Sequence, residues 1–381
     1  MDKESHIGVI YNRDDKAWIA GSYYIENIVK SMALVNNREL PVVHVLCQNK
    51  KAFIEFTQRT KYPKLVYEHK LKIIAFLGRV LNYLSKRLRK KESYCFRKYN
   101  FPSIVKLIYP VNVIDFFKDK SKLLAWIPDL QERHLPEFFS PKEILHRKNV
   151  HLSYIKEHIP IVFSSQDSER DFKQFYPAAN VRTFVLPFAV HHPNFSNENI
   201  NLIKDKYKID KNYLFCANQF WMHKNHKFLF KSFAKAISAG LNLQLVCSGL
   251  LYDKRNPLYG DEILNLIKEL KMENDIKLLG FIDRKEQLCL IKNSYALIQP
   301  SLFEGWNTTV EDAKRLNKFI FLSNLNVHLE QNPKNVCFFN PRDTDDLVYK
   351  LINTKPTEYK TDYSKTVITF GENFIDIVSS F

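Results

Sequence analysis

Residues 299–314, with the sequence QPSLFEGWNTTVEDAK, bring acidic, hydroxyl and glycine residues together around one turn. The pattern predicts the end of a strand, a turn containing Gly305, and a helix capped by Thr308 or Thr309. A helix that starts at the carboxyl end of a strand favours phosphate, because its first amides are unpaired and its dipole is positive there. The segment is therefore a candidate phosphate site, although an ordinary capped helix fits the same residues equally well.

Two carboxylates, Glu304 and Asp312, flank that turn. Because carboxylates repel phosphate, we expect them to accept hydrogen bonds from the hydroxyls of a sugar or a ribose. A second polar segment, residues 217–226 with the sequence ANQFWMHKNH, also follows a predicted strand and opens a helix. A solvent-facing basic loop is the less favoured interpretation of this segment, because it lies at the carboxyl end of a strand.

Strands and helices alternate along the whole chain, as in parallel sheets covered on both faces. The first half has predicted strands at 6–11, 41–46, 121–127 and 159–164, a small-residue turn at 20–22 and a helix at 25–34. The second half has predicted strands at 213–217, 244–248, 276–279, 296–299 and 318–322 and helices at 227–239, 261–270, 285–293 and 344–352. We expect an α/β protein with domains 1–190 and 191–360 and a final segment, 361–381, that packs back on the body.

The composition fits two globular domains. The 381 residues are 45% hydrophobic, which is enough for two cores, and the 14% aromatic content argues against a disordered chain. Six scattered cysteines indicate neither a disulfide framework nor a zinc site. The net charge of +16 favours anionic partners such as phosphorylated substrates, lipid or nucleic acid. Neither a signal segment nor a membrane span is predicted, so we expect a cytoplasmic protein without a metal site.

Residues 299–314 resemble the donor-site signature of retaining GT-B glycosyltransferases of the group 1, or family 4, type. In that family a Pro-Ser-x-x-Glu-Gly-Phe-Gly run precedes a second acid, usually glutamate, eight positions after the first. Here Glu304 is the first acid and Asp312 the second, with Glu311 as its alternative, and Trp306 and Asn307 replace the usual Phe and Gly. The resemblance implies a GT-B architecture, in which two Rossmann-like domains with parallel sheets face each other across a cleft. It also implies that Glu304 orients the donor sugar and that Asp312 or Glu311 binds the ribose.

Residues 217–226 resemble the family's phosphate segment, in which an Arg and a Lys five positions apart neutralise the diphosphate. Gln219 stands at the Arg position, so Lys224 is expected to carry most of that role, because an amide does not replace a guanidinium group. Residues 278–288 are similar to the family's strand, turn and helix whose backbone holds the base. The resemblance thus implies a donor site made by Asn218, Gln219, Lys224, Gly280, Phe281, Ile282, Gly305, Trp306, Asn307, Thr308, Thr309, Glu311 and Asp312.

Two stretches of the first half resemble the family's acceptor side. Gly21 and Ser22 occupy the place of its glycine-containing loop, which faces the donor phosphate and the acceptor. Residues 125–137, with the sequence AWIPDLQERHLPE, look like the acceptor loop of bacterial polysaccharide glycosyltransferases. Alongside the first acid of the signature, Asp129 and His134 are therefore candidate catalytic residues, contacting the acceptor or the reacting sugar by hydrogen bonding or proton transfer. A surface turn capped by Asp129 is the simpler alternative.

The implied function is transfer of a sugar, with retention at the anomeric carbon, from a UDP- or GDP-sugar to a glycan or lipid-linked acceptor in bacterial surface polysaccharide synthesis, without a metal. Residues 69–91 combine a leucine face with a basic end and suit an anionic membrane surface, although a helix packed on the sheet explains them equally well. The alternatives are a nucleotide-sugar epimerase of the same fold, a non-catalytic relative and, from charge alone, a nucleic-acid-binding protein. Because no nucleic-acid module is visible, we expect no nucleic-acid partner.

Overall fold

The computed structural model describes residues 4–11, 19–36, 38–69 and 99–381, which form two parallel sheets. The first sheet contains the strands β1 (His6–Ile10), β2 (Val42–Cys47), β3 (Leu65–His69), β4 (Leu107–Val111), β5 (Leu123–Ile127), β6 (Ile161–Phe163) and β7 (Thr183–Val185). The second contains β8 (Tyr213–Ala217), β9 (Gln244–Ser248), β10 (Ile276–Leu278), β11 (Ala296–Gln299), β12 (Ile320–Ser323) and β13 (Val336–Phe339). The predicted α/β fold with two Rossmann-like domains is confirmed.

Helices connect these strands. The first domain has α1 (Ile19–Met32), α2 (Lys50–Thr60), α3 (Gln131–His134), α4 (Pro141–Lys156) and α5 (Gln166–Phe175). The second has α6 (Ile200–Tyr207), α7 (His226–Ser238), α8 (Tyr259–Glu269), α9 (Arg284–Asn293), α10 (Thr308–Leu316), α11 (Asn326–Gln331) and α12 (Thr344–Asn353), and the chain ends with α13 (Ser364–Ser379). None of the helices that the structure describes is long and apolar enough to cross a membrane.

Each sheet separates two apolar layers, as parallel sheets require. Strand β8 illustrates this, because Leu214 and Cys216 belong to one core cluster whereas Tyr213 and Phe215 belong to another. Successive side chains of a strand point to opposite faces, so a run of apolar residues serves both layers. This is why the second domain's strands are readable as short hydrophobic runs in the sequence.

Both sheets reverse their strand order at one point. The first runs β3-β2-β1-β4-β5-β6-β7 and the second β10-β9-β8-β11-β12-β13. Ligands of such sheets bind in the crevice outside the carboxyl ends of the strands at the reversal. In the second sheet this crevice lies between β8 and β11, the strands that precede residues 218–224 and 300–307.

Two crossovers join the domains. The first, residues 186–193, leads from β7 into the second domain, and the second, residues 354–363, returns to the first domain and enters α13. Helix α13 packs along α1 so closely that a β-carbon on Gly371 would lie 2.4 Å from the carbonyl oxygen of Ser31. Val367, Phe370 and Phe374 thereby join the core of the first domain, so the chain's last helix is structurally part of the domain that its first residues build.

The helix and turn boundaries near the N-terminus correct one expectation. Gly21 and Ser22 do not form a turn or a loop, since both are buried within the first turn of α1, which begins at Ile19. The predicted turn at 20–22 is therefore replaced by the start of a helix. Residues 70–91 of the basic stretch proposed for membrane contact lie outside the described residues.

Candidate functional site

Lys224 and Glu304 meet in the crevice of the second sheet. Lys224 Nζ lies 2.6 Å from Glu304 Oε1, and that oxygen also accepts hydrogen bonds from Ser301 Oγ at 2.7 Å and Asn307 Nδ2 at 3.1 Å. The Lys224 and Glu304 side chains are only 14% and 8% exposed. Among the described residues all three contacts go to Oε1, which leaves Oε2 for a hydroxyl of a ligand.

Hydrogen bonds to the backbone hold residues 217–226 against residues 299–314. Lys224 ends a short 3-10 turn, and the next residue, Asn225, has a φ of 62° in the left-handed region, where asparagine is tolerated. Asn225 Nδ2 donates to the carbonyl oxygens of Pro300 and Pro341 at 3.1 and 2.9 Å. The amide of Leu302 donates to the carbonyl oxygen of His223 at 2.8 Å. Lys224 is therefore held by the same strand end that presents Glu304.

Asn307 caps helix α10, which corrects the prediction that Thr308 or Thr309 does so. Its Oδ1 accepts hydrogen bonds from the amides of Thr309 and Val310 at 2.9 and 3.3 Å. Thr309 instead donates its hydroxyl to the carbonyl oxygen of Ala217 at 3.1 Å. Two amides of the candidate phosphate site are consequently already hydrogen-bonded to the side chain of Asn307, at the position where the family usually has glycine.

A buried polar network supports Asn307. Its Nδ2 lies 3.4 Å from Gln299 Oε1 and 3.5 Å from His328 Nε2, and its backbone exchanges hydrogen bonds with Gln331 at 3.1 and 3.2 Å. His328 Nδ1 lies 2.8 Å from the carbonyl oxygen of Ser323, which fixes Nδ1 as the protonated nitrogen. Burial lowers the pKa of His328 to about 4, so its ring is neutral and Nε2 can accept from Asn307.

Glu311, the alternative candidate for binding the ribose, is engaged with protein groups. Its side chain is fully buried, and its oxygens accept from Lys314 Nζ at 3.0 Å, Gln331 Nε2 at 2.9 Å and the Tyr363 hydroxyl at 2.7 Å. Burial and the Glu311 charge together raise the pKa of Tyr363 well above its ordinary value. Glu311 therefore ties α10 to the second crossover.

Asp312 is also enclosed, by His192 and Arg284. Its Oδ1 lies 2.9 Å from His192 Nε2, in the first crossover, and 2.5 Å from a terminal nitrogen of Arg284, at the start of α9. Burial alone would raise the pKa of Asp312, but the charge of Arg284 and the hydrogen bond from His192 hold it below its ordinary value. Asp312 is therefore an anion bound by protein groups, not an open acceptor for a ribose.

The predicted acceptor loop touches the donor turn directly. A β-carbon on Gly305 would lie 2.2 Å from the carbonyl oxygen of Pro128 and 2.8 Å from Cβ of Asp129, so only glycine permits this approach. The His134 ring lies against Phe303, with centroids 5.1 Å apart, and its Nε2 is 2.6 Å from Asp171 Oδ2. That hydrogen bond raises the pKa of His134 above its ordinary value. Asp129 and His134 thus lie beside the turn that carries Glu304.

The remaining predicted donor residues line the same edge of the sheet in supporting roles. Gln219 Oε1 accepts from the amide of Leu250 at 2.8 Å, and Asn218 Nδ2 lies 3.7 Å from Cys216 Sγ. Gly280 has a φ of 67°, and its carbonyl oxygen accepts from the amide of Gly249 at 2.8 Å. These contacts position neighbouring loops, so the side chain of Gln219 is engaged with protein and not offered to a phosphate.

Two aromatic residues of the predicted donor set differ in exposure. Phe281, at the loop after β10 that also contains Ile282, is 58% exposed. Trp306 instead donates its indole N–H to the carbonyl oxygen of Phe188, in the first crossover, at 3.0 Å. Trp306 therefore connects the donor turn to the connection between the domains.

Sequence reasoning missed four residues that the structure places around the site: His192, Arg284, Arg147 and Arg255. Arg284 could have been identified from the sequence, because it is the first residue of a helix that follows the carboxyl end of β10. His192 was assigned only to the linker, and Arg147 lies in the middle of α4, where an arginine looks like a solvated surface residue. In the part of the chain that the structure describes, no group of three or more His, Cys, Asp or Glu residues is arranged to hold a metal ion.

Comparison with known sequences finds a family match in the second domain. Residues 199–358 match the family described as glycosyl transferases group 1. A stretch of 137 residues is 26% identical to the O-antigen chain mannosyltransferase RfbU of Salmonella typhimurium and covers 36% of each protein. The alignment thus spans about a third of that relative's length.

Solved structures match over the whole chain. Anabaena Alr3699/HepE, crystallised with UDP and glucose, superposes with a TM-score of 0.64 at 14% identity, covering 99% of this chain and 100% of that one. Sucrose-phosphate synthase from Thermosynechococcus elongatus gives 0.60 at 14% identity over 99% and 94% of the two chains. A UDP-forming trehalose-phosphate synthase from Burkholderia vietnamiensis gives 0.63 at 9% identity over 99% of each chain. The predicted GT-B architecture is confirmed.

Proposed function

We propose that this chain, whose residues 199–358 match the group 1 glycosyl transferases, moves a sugar from a nucleoside-diphosphate sugar to a glycan or lipid-linked hydroxyl with retention at the anomeric carbon. The observation that carries the proposal is the 2.6 Å contact of Lys224 with Glu304 at the reversal point of the second sheet. It brings a cation suited to phosphate and a carboxylate suited to sugar hydroxyls into one crevice.

Each group has a distinct role in the proposed reaction. The bond from the anomeric carbon to the diphosphate breaks with its electrons on the phosphate oxygen, where the ammonium of Lys224 stabilises the new charge. Glu304 accepts a hydrogen bond from a hydroxyl of the donor sugar through Oε2. The acceptor oxygen bonds to the anomeric carbon and loses its proton, and Asp129 or His134 orients that hydroxyl or takes its proton. The contact of Gly305 with Pro128 keeps bulk water out during transfer.

Direct measurement of binding and transfer tests the proposal. Thermal shift with UDP, GDP and their sugar conjugates identifies the nucleotide, because a ligand of the folded state raises the melting temperature. Mannose is the first sugar to test, because the Salmonella relative is a mannosyltransferase. UDP is tested beside GDP, because the Anabaena protein was crystallised with UDP. Product analysis by NMR then gives the anomeric configuration. The proposal fails if no nucleoside diphosphate binds, and product formation without an acceptor supports an epimerase instead.

A non-catalytic relative is the second candidate, and the cap formed by Asn307 favours it. Asn307 occupies two amides that would otherwise bind phosphate, and Gln219 supplies no cation. Binding of a nucleotide sugar without turnover, across a panel of glycan and lipid-linked acceptors, supports this candidate. We also propose that the transfer requires no metal ion, which turnover unaffected by EDTA would support.

We also propose a role in bacterial surface polysaccharide synthesis at the inner face of the membrane, with residues 69–91 as the contact. The O-antigen relative supports the pathway, and the basic end of that stretch supports the surface. Sedimentation with anionic vesicles tests the contact: neutralising the charges at 86–91 should abolish binding, and unchanged binding rejects it.

A further inference from the structure

The loop after β9 is built onto the phosphate segment. The amide of Leu250 donates to Gln219 Oε1 at 2.8 Å, and the amide of Phe220 donates to the carbonyl oxygen of Leu250 at 3.2 Å. Farther along the loop, Asp253 Oδ2 accepts from the amide of Met222 at 3.0 Å. Gln219, which stands where the signature has a cation, therefore holds a loop in place instead of binding phosphate itself.

That loop carries Arg255 to the boundary between the domains. The guanidinium carbon of Arg255 lies 3.9 Å from the ring centroid of Phe139, in the first domain, and its Nε lies 3.5 Å from Glu143 Oε1. The side chain is only 17% exposed. Within the described residues, its two terminal nitrogens make no hydrogen bond, so the fork that binds phosphate with two parallel bonds is open.

A second guanidinium group, from the first domain, lies on the same ring. Arg147, in α4, has its guanidinium carbon 5.1 Å from the centroid of Phe139. One of its terminal nitrogens binds Glu132 Oε2 at 3.1 Å and Asp129 Oδ1 at 3.4 Å. Glu132 is 2% exposed, and this buried carboxylate fixes the direction of the arginine. One aromatic ring thus holds an arginine from each domain.

The loop that carries Arg255 is joined to the phosphate segment two residues from Lys224, where the amide of Met222 donates to Asp253 Oδ2. His223, between Met222 and Lys224, is buried, and burial together with the charges of Lys224, Arg255 and Arg147 lowers its pKa well below the ordinary value. Asp129, which binds Arg147, also borders Gly305. Several cations and their carboxylate partners therefore surround one point where the domains meet.

We propose that Arg255 and Arg147 form a clamp across the domain boundary for a phosphate group of a substrate, replacing the arginine that is absent at position 219. The proposal rests on the function proposed above. The carboxylates of Asp129, Glu132 and Glu143 hold the two arginines in place while no phosphate is bound. A phosphate then binds the free terminal nitrogens of Arg255. Because the two arginines come from different domains, phosphate binding favours the closed arrangement of the domains.

Binding measurements on matched variants test the clamp. Arg255→Met and Arg255→Lys are compared with Arg182→Met, since Arg182 is also stacked on a phenylalanine, Phe184 at 4.7 Å, but precedes β7, the edge strand of the first sheet. The probes for calorimetry are UDP, GDP, inorganic pyrophosphate and farnesyl diphosphate. We expect both Arg255 variants to weaken phosphate binding about tenfold or more, since lysine keeps the charge but lacks the fork, and Arg182→Met to leave it unchanged.

Glu143→Gln distinguishes phosphate binding by Arg255 from a purely structural role. In that structural role, here called a latch, the contact of Arg255 with Glu143 only holds the domains together. Glutamine preserves the hydrogen bonds that Glu143 makes at the start of α4 but removes the charge facing Arg255. The clamp predicts equal or stronger phosphate binding in Glu143→Gln, whereas a latch predicts the same loss as in the Arg255 variants and overturns the proposal.

The probes identify the source of the phosphate. Loss confined to UDP or GDP and pyrophosphate assigns the clamp to the donor, and loss confined to farnesyl diphosphate assigns it to a lipid-linked acceptor. Pyrophosphate binding that depends on Arg255, with no nucleotide bound by the wild-type protein, preserves the clamp but refutes the proposed function. Unchanged affinity of the Arg255 variants for every probe, or no binding of any probe to the wild-type protein, refutes the clamp.

Discussion

The Lys224 and Glu304 side chains form a mostly buried pair whose members are stabilised unequally. Glu304 has two further donors, Ser301 and Asn307, whereas Lys224 has this single carboxylate among the described residues. Removing one partner of a buried pair leaves the other charge without compensation, which costs more than the pair itself contributes. The control for a substitution of Lys224 must therefore be a variant in which a different buried acid loses its lysine partner.

Lys224→Met should reduce sugar transfer at least about a hundredfold, because the charge on the leaving diphosphate loses its nearest cation. The matched control is Lys314→Met, which unpairs Glu311, a fully buried acid of the same motif. Both variants should lose stability, but Lys314→Met should keep the affinity for UDP or GDP. Equal loss of nucleotide affinity in both variants would contradict the role given to Lys224, and calorimetry beside urea denaturation provides the comparison.

Buried neutral histidines make the folded state sensitive to acid. Burial lowers the pKa of His191 to about 3 and that of His328 to about 4, from an ordinary value of 6.5 in the unfolded chain. The unfolded state then binds more protons below pH 6.5, so the stability that is complete above pH 6.5 is lost as pH falls towards 4. For His328 this amounts to about 3 kcal/mol. Urea denaturation at pH 7.5, 6 and 5 should show the decline, and His328→Asn should make it shallower.

At the scale of the helix, α10 differs from what its sequence suggests. Thr308, Thr309 and Asn307 are all good N-cap residues, and local propensity cannot rank them. The choice is made by tertiary contacts, because Asn307 also reaches Glu304, Gln299 and His328 in the interior. The cap and the carboxylate of the site are thereby coupled.

Asn307→Gly restores the residue that the family signature has and frees the amides of Thr309 and Val310. We expect tighter binding of UDP or GDP, because unpaired amides at a helix start attract phosphate, together with about 1 kcal/mol lower stability from the lost side-chain contacts. Calorimetry and urea denaturation measure the two effects. Weaker nucleotide binding in the glycine variant would show that Asn307 supports the ligand instead of excluding it.

Sequence patterns were most informative in the second domain. The strands at 213–217, 244–248 and 296–299 are observed with the predicted bounds, because each is a short apolar run buried on both faces. Strands β3, β4, β7 and β13 and helices α2 and α4 are not predicted from the sequence. Neither β3 nor β7 is fully buried, so the hydrophobic signal is weak there, and α2 is a mainly polar sequence whose packing is decided by the neighbouring sheet.

In the whole molecule, closure depends on glycine at position 305. Its conformation is accessible to other residues, because its φ is not in the left-handed region, but a β-carbon there would overlap the carbonyl oxygen of Pro128 at 2.2 Å. The restriction is therefore imposed by the other domain and not by the turn. This could not be read from the sequence, where Gly305 appears only as a turn residue.

Gly305→Ala should push the domains apart while leaving each domain folded. We expect a larger radius of gyration in X-ray scattering, a melting temperature within a few degrees of the wild type, and at least about tenfold slower transfer. Thermal unfolding and far-UV circular dichroism control for misfolding. Unchanged compactness and activity would show that the Pro128 loop moves aside and that the close approach is not required.

The acids of α10 could be located from the sequence, but their partners could not. His192 and Asp312 are 120 positions apart, and Glu311 and Tyr363 are 52 apart. Such contacts depend on how the two crossovers pass the second sheet, which no local pattern encodes. The resemblance implies that Asp312 or Glu311 binds a ribose, because it carries no information about the segments that cover these acids here.

Helix α10 and the turn before it are thus bound to both chain segments that connect the domains, through the pairs Trp306 and Phe188, Asp312 and His192, and Glu311 and Tyr363. Anyone exchanging this helix for a homologous one, in order to change the sugar that is used, would also be replacing the anchorage of the interdomain connections. A viable chimera should therefore carry residues 186–193 and 354–363 from the same parent as residues 300–316.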